Sequence, residues 1–231
     1  MLSNTMITLL RKILPQSFRS RCRQKWNEIK FQSDISWGKF TRLFVRPPLP
    51  KVEDVGVNLH LGCGSINHPK FINVDGIPAP HIHYVRNIND LSPFKDESVD
   101  LIYASHCLEH FPHAVIQKML EEWYIKLKKN GILRLSVPDF DLLLYIYKEN
   151  HNNLDTIILP LFGGQDYKFN FHKTIFTKSS LTTLLKNAGF RDVCEWKHGL
   201  TDLTSFDDWS GRKITINSKE YFVSLNIEAI K

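Results

Sequence analysis

The feature that most constrains the fold is a series of short, mainly apolar runs separated by polar or helix-like stretches. The runs are three to six residues long and lie at residues 57–61, 71–74, 83–85, 99–104 and 132–137. Runs that stay apolar along their length are typical of strands in a parallel sheet that helices cover on both faces. The chain is therefore expected to form a doubly wound α/β domain.

The remaining elements are predicted from periodicity and turn residues. An amphipathic helix is expected over residues 114–128, with Asn130-Gly131 as its stop. Its buried face would carry Val115, Met119, Trp123 and Leu127. A second helix should follow Thr177 and close at residues 187–189. Residues 191–197 and 221–230 predict two more strands, which brings the sheet to seven.

The charge is divided unevenly along the chain. Residues 1–50 hold ten basic and two acidic side chains, whereas residues 51–231 hold 20 and 22. Prolines at positions 47, 48 and 50 mark the boundary between this basic arm and the main domain. Because the basic surplus lies in the arm, the body of the protein is not expected to bind nucleic acid.

The arm, residues 1–50, has three interpretations: a helical extension packed on the sheet, a patch for an anionic membrane surface, or a nucleic-acid contact. No apolar run reaches the length that spans a bilayer. The four cysteines form no paired motif, so neither a zinc site nor any other metal site is predicted. The chain is expected in the cytoplasm, with the inner membrane surface as a further location.

A glycine turn follows the first strand. Gly62 and Gly64 flank Cys63, and glycine there lets the backbone turn sharply and approach a ligand. The second strand ends in Asp75, the position from which open α/β folds bind ribose hydroxyls. Together these features predict a cofactor that contains adenosine.

The spacing differs from that of nicotinamide-binding proteins. Asp75 follows Gly62 by 13 residues instead of roughly 20, and the turn lacks a third glycine. Residues 65–70 are too few for a crossover helix, so no helix N-terminus is expected to hold a pyrophosphate. A nicotinamide oxidoreductase is therefore disfavoured.

Five segments together resemble class I S-adenosylmethionine-dependent methyltransferases. They are LHLGCGSINHPKFINVDG, LSPFKDESVDLIYASHCLEHF, LKKNGILRLSVPDF, HKTIFTKSSLTTLLKNAGF and YFVSLNIEAIK. The chain is most similar to a small bacterial branch with a shortened first crossover that is often met beside polysaccharide-synthesis enzymes. The resemblance covers about residues 56–231. It implies a Rossmann-like, mostly parallel sheet with an antiparallel last strand, and a methyltransferase domain over residues 51–231.

The resemblance also implies S-adenosylmethionine as cofactor and a set of residues that bind it. Gly62 and Gly64 would contact its methionine and ribose, and Asp75 its ribose hydroxyls. Asn87 stands where the family usually has an aspartate facing adenine, and Asp90 is the alternative. The full implied set is Gly62, Cys63, Gly64, Asp75, Asn87, Ile88 and Ser105.

Methyl transfer from a sulfonium is an in-line displacement, so the protein chiefly positions the acceptor and excludes water. A hydroxyl acceptor must also lose a proton, and His106, His110 and His172 are the candidate bases. A capping or surface role is the alternative for each histidine, while Glu109 could orient the site. Trp26, Phe31, Trp37 and Phe40 of the arm are expected to cover the acceptor pocket.

Absent motifs limit the acceptor. Nucleic-acid methyltransferases would require an Asn/Asp-Pro-Pro-aromatic sequence after the fourth strand or a cysteine next to a proline. The fourth strand of this chain is not followed by that sequence, and Cys107 has no adjacent proline. The leading hypothesis is O-methylation of a glycan or small-molecule hydroxyl. A non-catalytic cofactor-binding or regulatory protein of the same fold and a nucleic-acid methyltransferase that uses the arm remain as alternatives.

Overall fold

A computed structural model describes residues 15–51, 53 and 56–231. The predicted basic extension is therefore described only from residue 15, and residues 1–14 lie outside the described part. Helix α1, Gln16–Thr41, makes up most of the described arm. None of the described helices combines the length and hydropathy needed to cross a membrane.

Among the described residues, the main sheet has seven strands in the order β3-β2-β1-β4-β5-β9-β6, and β9 runs antiparallel to both of its neighbours. This arrangement confirms the predicted mostly parallel sheet with an antiparallel last strand. A separate hairpin pairs β7 with β8. The strands are β1 Asn58–Leu61, β2 Ile72–Asp75, β3 Tyr84–Val85, β4 Val99–Ser105, β5 Leu127–Pro138, β6 Asp192–Glu195, β7 Lys213–Ile216, β8 Lys219–Phe222 and β9 Ser224–Ile230.

Helices cover the sheet and bury its central strands. They are α2 His113–Lys126, α3 Phe140–Glu149, α4 Ile158–Phe162 and α5 Lys178–Asn187. Trp123 of α2 is fully buried, and its indole Nε1 donates to the Ile88 carbonyl at 3.0 Å. The bond ties α2 to the loop after β3 and satisfies a polar atom that would otherwise be costly to bury.

The predicted limits of the first amphipathic helix are wrong at its C-terminal end. Helix α2 ends at Lys126, and Leu127 already pairs with Val99 as the start of β5. The expected stop, Asn130-Gly131, lies inside that strand, where the pairing continues although Asn130 has a left-handed φ of 64°. Val115 is also more exposed than predicted, since the buried face includes the neighbouring Ile116.

The predicted strand over residues 221–230 is two strands. β8 ends at Phe222 and β9 begins at Ser224, with buried Val223 between them. The chain passes there from the small hairpin into the main sheet. The shortened crossover is confirmed, because the segment that joins β1 to β2 contains no helix.

Helix α1 packs against two loops of the main domain. Arg42 donates to the carbonyls of Ala79 and Ile82, and Phe31 stacks on Tyr167 with ring centroids 5.0 Å apart. Of the four aromatic residues expected over the acceptor pocket, Phe31 contacts a residue that lines it. Trp26, Trp37 and Phe40 are mainly exposed and do not line that pocket, so the prediction is wrong for these three.

Candidate functional site

The carboxyl ends of β1, β2 and β4 meet at one edge of the sheet. Gly62 follows β1, and its φ of 65° lies in the left-handed region that favours glycine. A Cβ at this position would strike the Cys107 sulfur, which follows β4. The glycine is therefore required both by backbone conformation and by close packing.

Asp75, at the end of β2, braces the glycine turn. Its Oδ2 accepts from the Gly64 N–H at 2.9 Å, and its Oδ1 accepts from the Ile77 N–H at 2.8 Å. Burial raises the pKa of Asp75, while these backbone N–H groups act to lower it. An ionised carboxylate can accept about four hydrogen bonds, so each oxygen can still accept from a ligand hydroxyl.

A first cavity of about 600 Å³ opens beside this turn. The predicted cofactor residues that line it are Gly62, Gly64, Asp75, Asn87 and Ile88. Asp90, the alternative to Asn87, does not line it, because its carboxylate pairs with Arg86 at 2.7 Å on the surface. We call this space the first cavity below.

A second cavity of about 460 Å³ lies on the other side of the turn. Cys63 and Ser105, both predicted to bind the cofactor, line this cavity and not the first one. Two residues of opposite charge, Asp207 and Arg212, stand at its exposed wall. The two cavities share five lining residues: Gly62, Gly64, His106, His110 and Tyr167.

His106 follows β4 with φ of 50°, and both of its ring nitrogens face polar neighbours. Nε2 lies 2.7 Å from Ser224 Oγ, whose hydroxyl donates to the Trp209 carbonyl. Because that hydroxyl has one proton, Nε2 of His106 is the donor in the first bond. Nδ1 faces Glu109 Oε1 at 3.2 Å.

Glu109 lies in the single turn Leu108–His110 and is only 1% exposed. Neither carboxylate oxygen makes a well-aligned hydrogen bond to a described residue. Burial acts to raise the pKa of Glu109, but His106, His110 and His172 together outweigh burial and lower it. Glu109 is thus a buried carboxylate surrounded by three imidazoles.

His110 and His172 stand next to each other at the second cavity, with ring centroids 4.9 Å apart. Each directs Nδ1 at a backbone carbonyl: His110 at Phe171, 3.2 Å, and His172 at Pro160, 3.0 Å. Burial lowers the pKa of His172, although Glu109 opposes the shift. A neutral His172 therefore has Nδ1 protonated and a lone pair on Nε2.

Several lining residues were not predicted. Tyr167, Trp209 and Arg212 come from long segments after α4 and after β6, and Val223 lies just before β9. These segments carry no motif that assigns them to the site. The Trp209 ring lies near His106, with centroids 5.7 Å apart, and the Arg212 guanidinium lies over the same ring.

Residues 68–135 match a family model described as a methyltransferase domain, which covers less than a third of the chain. No curated protein matches the chain. Among solved structures, the chain is similar to a possible histamine N-methyltransferase from Thermotoga maritima, with 19% identity and a TM-score of 0.46 over 76% of this chain and 82% of that one.

Another similar structure is the 1,6-didemethyltoxoflavin-N1-methyltransferase of Burkholderia thailandensis, solved with S-adenosylhomocysteine. It shows 14% identity and a TM-score of 0.48 over 94% of this chain and 90% of that one. The family match and the sheet confirm the resemblance to class I S-adenosylmethionine-dependent methyltransferases. S-adenosylmethionine is the cofactor of that class, in agreement with the cofactor prediction.

Proposed function

We propose that the protein transfers the methyl group of S-adenosylmethionine to a hydroxyl of a glycan or small molecule. The observation that carries the proposal is the wall shared by the two cavities. A donor in the first cavity and an acceptor in the second would meet at Gly62, Gly64, His106, His110 and Tyr167. In-line transfer requires this kind of contact between two separately bound molecules.

The first cavity suits the donor. Asp75 offers a carboxylate for the ribose hydroxyls, and Asn87 and Ile88 lie farther along the same cavity, where adenine would bind. Gly62 and Gly64 stand at the shared wall, so the methionine end of the donor would point toward the second cavity. Ser105 and Cys63 then face the acceptor side, near the sulfonium.

The second cavity offers a base for the hydroxyl proton. His172 is the best placed, because its Nδ1 is held by the Pro160 carbonyl and its Nε2 can accept a proton. His110 has the same arrangement with Phe171. His106 differs, since its Nε2 already donates to Ser224, and we assign it a positioning role.

The outer wall supports a small polar acceptor over nucleic acid. Arg212 is the one lysine or arginine among the described residues that line the second cavity, and Asp207 lies beside it. A polynucleotide acceptor would need several cations along its phosphates. A mixed pair of exposed charges fits hydroxyl, amine or carboxylate groups of a glycan or metabolite.

Calorimetry with S-adenosylhomocysteine tests the donor half of the proposal. We expect Asp75→Asn to weaken binding at least tenfold, because the amide replaces one acceptor oxygen and removes the charge. Asp90→Asn is the matched control and should bind normally, since Asp90 lies outside the cavity. Thermal unfolding of both variants shows whether weaker binding comes from the lost ligand contact or from a disrupted glycine turn, because only the latter lowers the unfolding temperature. Absence of binding by the wild type would refute the proposal.

The acceptor half is tested by measuring S-adenosylhomocysteine release with a panel of glycans and small hydroxyl compounds. His172→Gln should lower kcat while leaving the affinity for the donor unchanged. His113→Gln is the control, because His113 is exposed and lies outside both cavities. Cofactor binding without turnover of any acceptor would instead favour the non-catalytic alternative.

A further inference from the structure

We infer that Glu109, His110 and His172 form a binding site for a divalent transition-metal ion that opens into the second cavity. Each residue offers one ligand atom, and these atoms all lie within 4.8 Å of one another. His110 and His172 also line the cavity. The inference goes beyond the proposed function and does not depend on it, because the ligand set would bind an ion whichever acceptor is methylated.

The two histidines are oriented as metal ligands are. Each directs Nδ1 at a backbone carbonyl, Phe171 for His110 and Pro160 for His172. A carbonyl oxygen accepts and cannot donate, so Nδ1 carries the proton and Nε2 has the free lone pair. Metal-binding histidines almost always donate their second ring N–H in this way, which fixes the tautomer and the ring.

Glu109 supplies an anionic ligand, and its nearest described partner is His106 Nδ1, 3.2 Å from Oε1. It is nine-tenths or more buried, and neither of its oxygens makes a well-aligned hydrogen bond. Buried carboxylates are normally paired or bound to metals, because an uncompensated charge is costly to bury. Oε1 lies 3.9 Å from His172 Nε2, so the carboxylate faces that imidazole.

The ligand atoms would have to move closer together, by up to about 1.4 Å for a pair at the 4.8 Å limit. In a tetrahedral zinc site with bonds of about 2.1 Å, neighbouring ligand atoms are roughly 3.4 Å apart. The 3.9 Å between Glu109 Oε1 and His172 Nε2 would thus contract by about half an ångström. Side-chain rotation can supply such a movement while the Nδ1 hydrogen bonds are kept.

Two imidazoles and one carboxylate favour Zn²⁺, Fe²⁺, Co²⁺ or Mn²⁺ over Ca²⁺ and Mg²⁺, which prefer oxygen ligands alone. Three protein ligands leave at least one position for water or an acceptor oxygen, as in catalytic zinc sites. His172 is the proposed base of the metal-free protein. With an ion bound, the lone pairs of both histidines would be occupied, and the ion would activate the hydroxyl by lowering its pKa.

The test uses the full chain after treatment with a chelator, titrated with Co²⁺ and followed by visible absorption. We expect the d–d absorption bands of a low-coordinate cobalt site, which should saturate at one equivalent of Co²⁺. Added Zn²⁺ should displace the cobalt and remove these bands. Glu109→Gln and His172→Gln should each weaken Co²⁺ binding at least tenfold. His113→Gln is the matched control and should bind as the wild type does.

His172→Gln keeps the test decisive if Glu109→Gln fails to fold. Equal Co²⁺ binding by wild type and His172→Gln would overturn the inference, as would strong thiolate-to-cobalt charge transfer, which indicates cysteine ligands. Calorimetry with S-adenosylhomocysteine on the metal-free protein is read separately. If the wild type binds S-adenosylhomocysteine but no cobalt, the metal site alone is refuted. If it binds cobalt but no S-adenosylhomocysteine, the proposed function alone is refuted.

Discussion

Acid should destabilise this protein through His60, a residue of β1 that is 1% exposed. Its ring stacks on Phe206 with centroids 5.2 Å apart, and Tyr103 and Phe71 lie at 5.0 and 5.8 Å. Burial lowers the pKa of His60 from 6.5 to about 3, although Asp208 opposes the shift. An imidazolium in this aromatic pocket would lose its hydration without gaining a partner that compensates for it.

The direction of the effect follows from the two pKa values. The unfolded chain takes up the proton near pH 6.5, whereas the folded chain takes it up only near pH 3. The free energy of unfolding therefore falls as the pH decreases through this window, and His60 contributes no pH dependence well above 6.5. The expected loss is about 2 kcal/mol at pH 5 and about 3 kcal/mol at pH 4.

Urea unfolding of wild type and His60→Phe, followed by tryptophan fluorescence between pH 7 and pH 4, measures this loss. Phenylalanine keeps the ring contacts and cannot be protonated, so acid effects from other groups cancel in the comparison. The variant should lose about 2 kcal/mol less than the wild type on going from pH 7 to pH 5. Parallel pH profiles with unchanged m-values would refute the reasoning.

Two further predictions concern the glycine turn and the thiols. Gly62→Ala should reduce the free energy of unfolding by more than the roughly 1–2 kcal/mol that a left-handed backbone costs, because the added Cβ also strikes Cys107. Gly199→Ala is the control: its φ is 80° and the space around it is open, so it should show the backbone cost alone. Equal losses in urea unfolding would contradict this prediction. A thiol reagent should label the exposed Cys22 and Cys194 quickly in the native protein, and all four cysteines after denaturation. Cys63 and Cys107 should react slowly because burial raises the pKa of both thiols. Rapid labelling of all four cysteines in the native protein would contradict the buried positions.

The sheet could be predicted because its signals are local. The central parallel strands are largely buried, so their sequences are mainly apolar, as residues 101–104 of β4 illustrate with all four side chains buried. The missing crossover helix could likewise be predicted from chain length alone. These features depend on residues that are close in sequence, so they can be predicted without knowledge of distant contacts.

The errors arose where distant contacts decide the structure. Asn130 and Gly131 read as a helix stop, yet the Asn130 N–H donates to the Lys231 carbonyl and the Gly131 carbonyl accepts from the Lys231 N–H. The last residue of the chain thus holds both in the extension of a strand.

The candidate functional site also has a part that could be predicted from the sequence and a part that could not. Gly62, Asp75 and Asn87 follow successive strands, and the ends of parallel strands share one edge, so their convergence could be predicted. Tyr167 and Arg212 reach the second cavity from long connecting segments whose course depends on packing. For such residues, neither spacing nor composition contains the information.

The roles of the three histidines depend on hydrogen bonds to residues far along the chain. His172 reaches Glu109 because the N–H of Lys173 donates to the Glu109 carbonyl at 2.7 Å, a contact between a loop and the turn after β4. The Ser224 hydroxyl, 118 residues from His106, fixes Nε2 of that ring as a donor. Nε2 of His106 is therefore a hydrogen-bond donor, whereas Nε2 of His172 is a free acceptor beside a buried carboxylate. Because of this difference, His172 is suited to take up a proton or to bind a metal ion.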